Sequence, residues 1–374
     1  MSRMKVVFAP DSFKGSLGSV EVAQALAHGW RSVRRDDLLL LLPQADGGEG
    51  TLDVIAAALP DLQWHITENA TGPDGRPVRA RWLMDTNHHA FVELAQSSGI
   101  AHMRSMDPLG ATSRGLGEVI NDALDHGAHT ITVALGGSAS TDGGSGTLSA
   151  LGLQIQDANG RPIRDGAAGL RDIETINRSR LRELPSGGID LLADTHAVLY
   201  GKDGAAKVFG PQKGARPADL ELMDQGLRQW AAALNTAGFP DLAEQRGAGA
   251  AGGVGFGLAS WGARSTPGAA RISDLTNLQS TISTADLVIT GEGRLDATSL
   301  TGKLVGHILE VCAEADVPTQ LVVGQVAPEM EYPTISLSTL AGSSTAAQLD
   351  PGRWLYAAGA AAAAQFPTTS STMR

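Results

Sequence analysis

The feature that most constrains this chain is a recurring local pattern: a short apolar segment, a glycine-containing loop with charged residues, and then apolar residues at helical spacing. Residues 5–9 run into the loop 10–16 ahead of a helical stretch, and residues 38–42 run into the loop 43–50 ahead of a predicted helix over 51–59. Short apolar runs that alternate with helices are typical of a parallel sheet with crossover connections. The pattern therefore predicts α/β layering.

The middle of the chain follows a different pattern. Three consecutive predicted strands are separated by turn-forming residues, as in an antiparallel meander, and cover residues 64–70, 78–84 and 90–94. The α/β alternation then returns, with apolar strand candidates at 286–290, 319–323 and 333–337.

These changes of pattern predict two domains. We expect a Rossmann- or flavodoxin-like parallel-sheet α/β domain built from both chain ends, residues 1–62 and 273–374, and an inserted mixed α/β domain over 63–272. A chain of 374 residues with 42% apolar content is long enough for two cores. Two such domains predict an active site in the cleft between them.

Composition and charge exclude several classes of function. The formal net charge is −11, from 29 basic and 40 acidic residues, so nucleic-acid binding is not expected. Cys312 is the only cysteine, which excludes an intramolecular disulfide and a cysteine-based zinc site and fits a reducing compartment. No apolar run approaches the roughly 20 residues of a membrane span. We therefore expect a cytoplasmic protein without membrane contact.

Four loops follow apolar strands and present acids or cations at the carboxyl end of the strand, the edge where open α/β sheets bind ligands. The first contains Ser12 and Lys14, which suit a small anionic substrate, although a serine there also fits an ordinary helix cap. In the second, Asp46 and Glu49 flank Gly47 and Gly48, and either carboxylate could coordinate a metal or accept a proton.

The third loop covers residues 136–146 and is rich in glycine. Gly136 and Gly137 would let backbone amides approach a phosphate closely, and Ser138 and Asp142 add polar side chains. A turn that only requires left-handed glycines is an equally good interpretation.

The fourth loop begins at Gly291 and carries two acids and a guanidinium. Arg294 could bind a phosphate or carboxylate through two hydrogen bonds, and Glu292 or Asp296 could hold Mg²⁺. Lys303, at a predicted helix start, adds a further cation. The alternative is a surface ion network that neutralises itself.

The signatures of several well-known enzyme classes are missing. The sequence contains no G-x-x-x-x-G-K-[ST] phosphate loop, no H-R-D kinase motif and no G-x-S-x-G elbow. The Walker phosphate loop and the protein-kinase catalytic loop are therefore excluded.

Six long motifs together resemble the bacterial glycerate kinase family. In chain order they are FAPDSFKGS from residue 8, ADGGEGT from 45, ALGGSASTDGG from 134, VFGPQKGA from 208, AGAAGGVGFGL from 248 and LVITGEGRLD from 287. The resemblance implies ATP- and Mg²⁺-dependent phosphorylation of D-glycerate, usually at the 2-hydroxyl, by a two-domain α/β enzyme. A monomer and a homodimer both stay open.

The resemblance does not decide which residue is the base, and the motif positions that it carries over are Asp11, Ser12, Lys14, Asp46, Glu49, Asp142, Lys213, Glu292, Arg294 and Asp296. From the chemistry of the loops we expect the following roles. The catalytic set is Lys14, Asp46, Asp194 and Arg294, with Asp194 or Asp46 as the base. The substrate-binding set is Ser12, Lys14, Gly47, Gly48 and Lys213. The nucleotide-binding set is Gly136, Gly137, Ser138, Asp142, Gly291 and Lys303, and Glu292 and Asp296 are the expected Mg²⁺ ligands.

The chain departs from the family pattern at two places. Residues 193–198 read ADTHAV, which keeps Asp194 but lacks the usual Asn and Pro, and Gly324-Gln325 stands where a Gly-Arg pair is usual. Two other functions stay open: phosphorylation of the 3-hydroxyl or of another small hydroxy acid, and non-catalytic binding of a sugar acid by a sensing protein.

Overall fold

The computed structural model describes residues 3–300, 304–328, 330 and 332–366. The chain divides into two compact units, each assembled from separate stretches. The terminal unit comprises Met1–Asp46, Asp53–Pro60 and Ala269–Arg374, and the central unit comprises Gly47–Leu52 and Asp61–Gly268. Both units combine helices with strands, which confirms the α/β class predicted from the sequence.

The strands are short, as expected of sheets in globular α/β proteins. In chain order they are β1 (Lys5–Phe8), β2 (Leu38–Leu41), β3 (Gln63–Thr71), β4 (Pro77–Met84), β5 (His89–Glu93), β6 (Thr130–Ala134), β7 (Gln154–Gln156), β8 (Thr175–Asn177), β9 (Ile189–Leu192), β10 (Arg264–Thr266), β11 (Leu287–Thr290), β12 (Arg294–Leu295), β13 (Thr319–Val323), β14 (Gln325–Val326) and β15 (Thr334–Ser336).

The helices connect and cover these strands. They are α1 (Ser19–Val33), α2 (Thr51–Ala58), α3 (Ala95–Ser98), α4 (Arg114–Asp125), α5 (Ser145–Ala150), α6 (Ala205–Phe209), α7 (Pro217–Thr236), α8 (Ala250–Trp261), α9 (Gly268–Leu275), α10 (Leu278–Ile282), α11 (Leu304–Glu314), α12 (Leu337–Ala341), α13 (Ser344–Leu349) and α14 (Pro351–Ala364). Short 3-10 helices cover Ile100–His102, Ala167–Asp172 and Pro211–Lys213. None of the helices in the described ranges combines the length and apolar character needed to span a bilayer.

The main sheet of the terminal unit has the strand order β15–β13–β11–β1–β2, and each neighbouring pair is parallel. Val6, for example, lies opposite Leu287 on one side and Leu39 on the other. Numbered within this sheet alone, the order is the 2-1-3-4-5 arrangement of flavodoxin-like folds. The order reverses between β1 and β11, and open α/β sheets bind ligands outside the carboxyl ends of strands at such a switch point.

Helices cover both faces of this sheet, because successive strand residues point to opposite sides. Val6 and Phe8 belong to a core with α1 and α14, whereas Val7 packs with α10 and α11. Helices α1 and α14 cross closely, since a Cβ atom added to Gly359 would lie 2.1 Å from the carbonyl oxygen of Leu26. The two covered faces leave the ends of the strands as the natural place for a ligand.

The sheet of the central unit is mixed and has the order β10–β9–β6–β5–β4–β3. Strands β10, β9, β6 and β5 are parallel, whereas β5, β4 and β3 form the antiparallel meander predicted from the sequence. Trp82, Ile131 and Trp230 are fully buried in its core. The carboxyl ends of β5, β6 and β9 therefore share one edge, where several of the predicted functional residues follow.

Candidate active site

Two loops of the terminal unit meet at the switch point of its sheet, one after β1 and one after β11. The backbone amide of Asp11 donates to the carbonyl oxygen of Gly291 at 2.9 Å. The hydroxyl of Thr290 donates to the carbonyl oxygen of Ala9 at 2.7 Å. Parallel pairing thus places side by side two loops that are far apart in the sequence.

Asp11 lies in a cluster of charged side chains at the switch point. The ammonium of Lys14 is 4.0 Å from a carboxylate oxygen of Asp46, and the Lys14 side chain is 79% exposed. Burial, followed by the charge of Asp46, raises the pKa of Asp11 from 3.8 to about 7; Glu292 adds to the rise, whereas the Ser12 amide and Lys14 oppose it. A carboxyl group with this pKa can exchange a proton near neutral pH, as a general base must.

The fourth predicted loop adds a second cation. Gly293 packs against the first loop, because a Cβ atom added to it would lie 3.4 Å from the backbone nitrogen of Lys14. The next residue, Arg294, is exposed in β12 and lies opposite Gln325 of β14. Lys14 and Arg294 are therefore exposed cations on two touching loops, which suits the binding of anionic groups.

The carboxylate of Asp296 accepts hydrogen bonds from residues of its own turn. Its Oδ1 accepts hydrogen bonds from the amide of Thr298 at 2.8 Å, the hydroxyl of Thr298 at 2.6 Å and the amide of Ser299 at 3.2 Å. Such an Asx turn explains the aspartate without a ligand, so the geometry favours a structural role over the predicted Mg²⁺ contact. The predicted cation Lys303 lies outside the described residues.

The carboxylates at the switch point have the chemistry of magnesium ligands. Within residues 3–300, 304–328, 330 and 332–366, no group of three or more His, Cys, Asp or Glu side chains is placed to hold a metal ion. Proteins usually hold Mg²⁺ through one or two carboxylates together with phosphate oxygens and water, so such a group is not required. Asp46 and Glu292 supply carboxylate oxygens of this kind.

In the central unit, the predicted glycine pair contacts the predicted glycine loop. The amide of Gly136 donates to the carbonyl oxygen of Gly47 at 2.9 Å. A Cβ atom added to Gly136 would lie 2.3 Å from the Cα of Gly48, so a larger residue would separate the two segments. Both Gly136 and Gly137 are partly exposed. The structure thus brings together two loops that the sequence analysis singled out separately.

Glu93, which the sequence analysis did not select, binds the segment that follows the glycine pair Gly47 and Gly48. It ends β5 and is 2% exposed. Its carboxylate accepts hydrogen bonds from the amides of Gly50 at 3.3 Å and Leu52 at 3.2 Å. A carboxylate on the first amides of a helix stabilises that helix terminus, so Glu93 fixes the start of α2. The only sequence signal was an acid at the end of an apolar strand.

Asp142 is fully buried. Its carboxylate accepts hydrogen bonds from the amides of Ser113, Gly144 and Gly146 and from the hydroxyls of Ser113 and Ser140, at 2.8–3.3 Å. Burial nevertheless raises its pKa above the usual aspartate value. Its oxygens serve the loop, so this placement favours a role in shaping the backbone over the nucleotide contact predicted from the sequence.

Lys213 also differs from the prediction of a substrate contact. Its side chain is 3% exposed, and its ammonium donates to the carbonyl oxygen of Ser140 at 2.5 Å. Burial lowers the pKa of Lys213 from 10.5 to about 7, although the charge of Asp142 opposes the change. A buried ammonium does not reach a dissolved substrate, so its direct partner is the backbone of the glycine loop.

Asp194, predicted as a possible base, follows β9 and is exposed. Its Oδ1 accepts a hydrogen bond from the amide of Gly268 at 2.8 Å. Nothing in this geometry favours Asp194 over other exposed aspartates as a proton acceptor.

The residues therefore fall into two groups. In the terminal unit, Lys14, Asp46 and Glu292 surround Asp11, which sequence reasoning had included in a motif but not among the catalytic residues. Its signal was the position directly after Pro10 at the end of β1. In the central unit, the glycine segments form a second group, which includes the predicted residues Gly47, Gly48, Gly136 and Ser138 and has Asp142 and Lys213 buried beneath it.

Comparison with known proteins gives one consistent family. A sequence model described as the glycerate kinase family matches residues 6–348. A glycerate 2-kinase of Escherichia coli K12 is 39% identical over 332 residues, which cover 87% of each chain. A glycerate kinase of Bacillus subtilis 168 is 37% identical over 86% of this chain and 85% of its own.

A solved structure agrees with these relatives. The chain is similar to a crystal structure named as a glycerate kinase 2 from Salmonella typhimurium LT2, with a TM-score of 0.81 and 34% sequence identity. The match covers 98% of both chains. The similarity therefore includes both units as well as the motifs.

Proposed function

Because this chain belongs to the glycerate kinase family, we propose that it is the enzyme that transfers the γ-phosphoryl group of ATP to the 2-hydroxyl of D-glycerate. The observation that carries the proposal is the meeting of two charged loops at the switch point of the terminal sheet. Exposed cations and a partly buried carboxyl group suit an anionic hydroxy acid there better than an apolar ligand.

The terminal unit binds and activates the acceptor. Lys14 and Arg294 bind the carboxylate of glycerate and the oxygens of the transferred group. Asp11 accepts the proton of the 2-hydroxyl while the hydroxyl oxygen bonds to the γ-phosphorus and the bond from that phosphorus to the ADP oxygen breaks. Its surroundings support this role, since burial and Asp46 keep its proton affinity higher than that of an exposed aspartate.

The central unit supports the nucleotide. The partly exposed Gly136 and Gly137 follow β6 at the carboxyl edge of the parallel strands, where backbone amides without side chains can approach phosphate oxygens. Gly47 and Gly48 contact this loop, and Gly50 and Leu52, which follow them, donate their amides to Glu93.

The carboxylate oxygens at the switch point also suit Mg²⁺. Glu292 and Asp46 would hold the ion through carboxylate oxygens, which are the ligands that Mg²⁺ prefers. When bound, the ion neutralises charge on the phosphate oxygens during transfer.

A coupled assay of ADP release with D-glycerate tests the proposal. Lys14→Ala and Arg294→Ala should each lower kcat/KM for glycerate by about 10- to 100-fold, because each removes a charge-assisted contact. Arg35→Ala, an exposed residue of the terminal unit away from the switch point, is the matched control and should leave kcat/KM unchanged.

If both Lys14→Ala and Arg294→Ala behave like the control, the assigned roles are wrong. Phosphorus NMR of the product separates the 2-phosphate from the 3-phosphate. Binding of glycerate without any ADP release would instead support a sensing protein and reject the enzyme.

A further inference from the structure

The buried Lys213 has a partner that links it to the glycine loop. Its ammonium donates to the carbonyl oxygen of Ser140. The hydroxyl of Ser138 donates to the same oxygen at 3.3 Å and to the carbonyl oxygen of Ala251 at 3.1 Å. Lys213 and Ser138 therefore share one acceptor, and Ser138 directly follows the exposed pair Gly136 and Gly137.

A second segment lies against the ammonium. A Cβ atom added to Gly252 would lie 2.9 Å from Nζ of Lys213 and 2.0 Å from the carbonyl oxygen of Ser140. The amide of Gly143 donates to the carbonyl oxygen of Gly252 at 3.0 Å. The backbone of this segment and the glycine loop thus contact each other around the ammonium.

This second segment has a left-handed backbone conformation, which is unfavourable only at its non-glycine residue, Ala251. Ala251, Gly252 and Gly253 have φ angles of 53°, 72° and 90°, all in the left-handed region. Such a conformation costs about 1–3 kcal/mol at a non-glycine residue and persists only where the surroundings fix it. The hydroxyl of Ser138 donates to Ala251, and the ammonium of Lys213 lies beside Gly252.

We propose that Lys213 is a positioning residue, which sets the conformation of residues 136–138 through the carbonyl of Ser140 so that their backbone can receive the phosphates of ATP. It acts without touching glycerate. The inference rests on the proposed function in one respect only, that a nucleoside triphosphate binds this loop.

Lys213→Met tests the inference, because it keeps the length of the side chain and removes the ammonium. Removing the ammonium removes the cost of burying its charge, which outweighs its attraction to Asp142, so the variant should melt at or above the temperature of the wild type. We expect KM for ATP to rise about tenfold or more while KM for glycerate stays within about twofold. Lys207→Met, at a half-exposed lysine on the neighbouring α6 that pairs with Glu221, is the control and should change neither constant.

Ser138→Ala provides a second variant, should Lys213→Met fail to fold. It should raise KM for ATP in the same way, and the double variant should show less than the sum of the two free-energy effects, because both side chains act on one carbonyl. Additive effects, an increase in KM for glycerate instead, or a loss of active protein with both KM values unchanged would each overturn the inference.

Direct titration of ATP into the protein separates this inference from the proposed function. If the wild type binds ATP and Lys213→Met binds it about tenfold more weakly, the positioning role stands even where no glycerate is phosphorylated. Equal ATP affinity of the two proteins rejects the positioning role, whatever the enzyme does with glycerate.

Discussion

The switch point of the terminal unit and the glycine loop of the central unit use charged residues in opposite ways. At the switch point of the terminal unit, the Lys14 side chain is 79% exposed and Asp46 is 36% exposed, so both can meet a ligand. In the central unit, Asp142 is 0% exposed and Lys213 is 3% exposed, and their hydrogen bonds go to the glycine loop. The same residue types are therefore accessible to a ligand at the switch point and hydrogen-bonded to the backbone in the glycine loop.

The physical reason is the cost of removing charge from water. A buried charge must be compensated by hydrogen bonds, and a carboxylate such as Asp142 finds them on the backbone amides of glycine-rich turns. An exposed charge keeps its hydration until a ligand replaces it. Burial thus distinguishes the charges that a ligand can reach from those that contact only the protein.

The largest expected effect concerns Asp11. Asp11→Asn should lower kcat by about 10²- to 10⁴-fold, the range for loss of a general base. The Asp11→Asn variant should be at least as stable as the wild type. The neutral amide avoids the cost of burying an ionised carboxyl group. Steady-state kinetics and urea denaturation measure the two quantities.

Asp36→Asn, at an exposed aspartate of the same unit, should leave kcat unchanged. A kcat of Asp11→Asn within about twofold of the wild type would show that another group accepts the proton.

A pair of glycine substitutions sharpens the comparison between the units. At Gly252 an added Cβ meets the Ser140 carbonyl oxygen at 2.0 Å with φ at +72°, whereas at Gly293 the nearest atom is 3.4 Å away. Gly252→Ala should therefore lose about 3 kcal/mol of unfolding free energy, and Gly293→Ala about 1 kcal/mol or less. Chemical denaturation measures both losses of unfolding free energy. Similar losses would show that the backbone around Gly252 is no more tightly packed than the backbone around Gly293.

A further expected effect is a pH dependence of stability. The pKa of Lys213 is about 7 in the folded protein and near 10.5 when exposed. Between these values the unfolded chain binds more protons, so the contribution of Lys213 to stability rises with pH, by at most about 1.4 kcal/mol per pH unit. Below the folded-state pKa of about 7, Lys213 is protonated in both the folded and the unfolded protein, so the cost of burying its charge no longer changes with pH.

Denaturation of the wild type and Lys213→Met over about pH 6 to 10 measures this slope. The advantage of Lys213→Met over the wild type should shrink as the pH rises. Parallel stability curves would mean that the ammonium is not desolvated in the folded protein.

Much of the fold could be predicted from the sequence. The apolar runs of β1, β2 and β11 and the meander of β3, β4 and β5 have the lengths and turn residues that periodicity detects. Shorter elements such as β10 and α10 were not predicted, since a few residues give too weak a period. The order of the strands, with β11 beside β1, also required the structure, because pairing between distant strands leaves no local pattern.

The candidate site, like the fold, was predictable from the sequence only in part. The sequence by itself determined the family, the glycine loops and the candidate charges, because motifs and residue types are local properties of the chain. Only the tertiary structure decided that Asp11 lies among the charges of Asp46, Lys14 and Glu292, and that Asp142 and Lys213 are buried. Proton affinity and access to a ligand depend on how much water surrounds a group, and that is fixed by packing between segments far apart in the sequence.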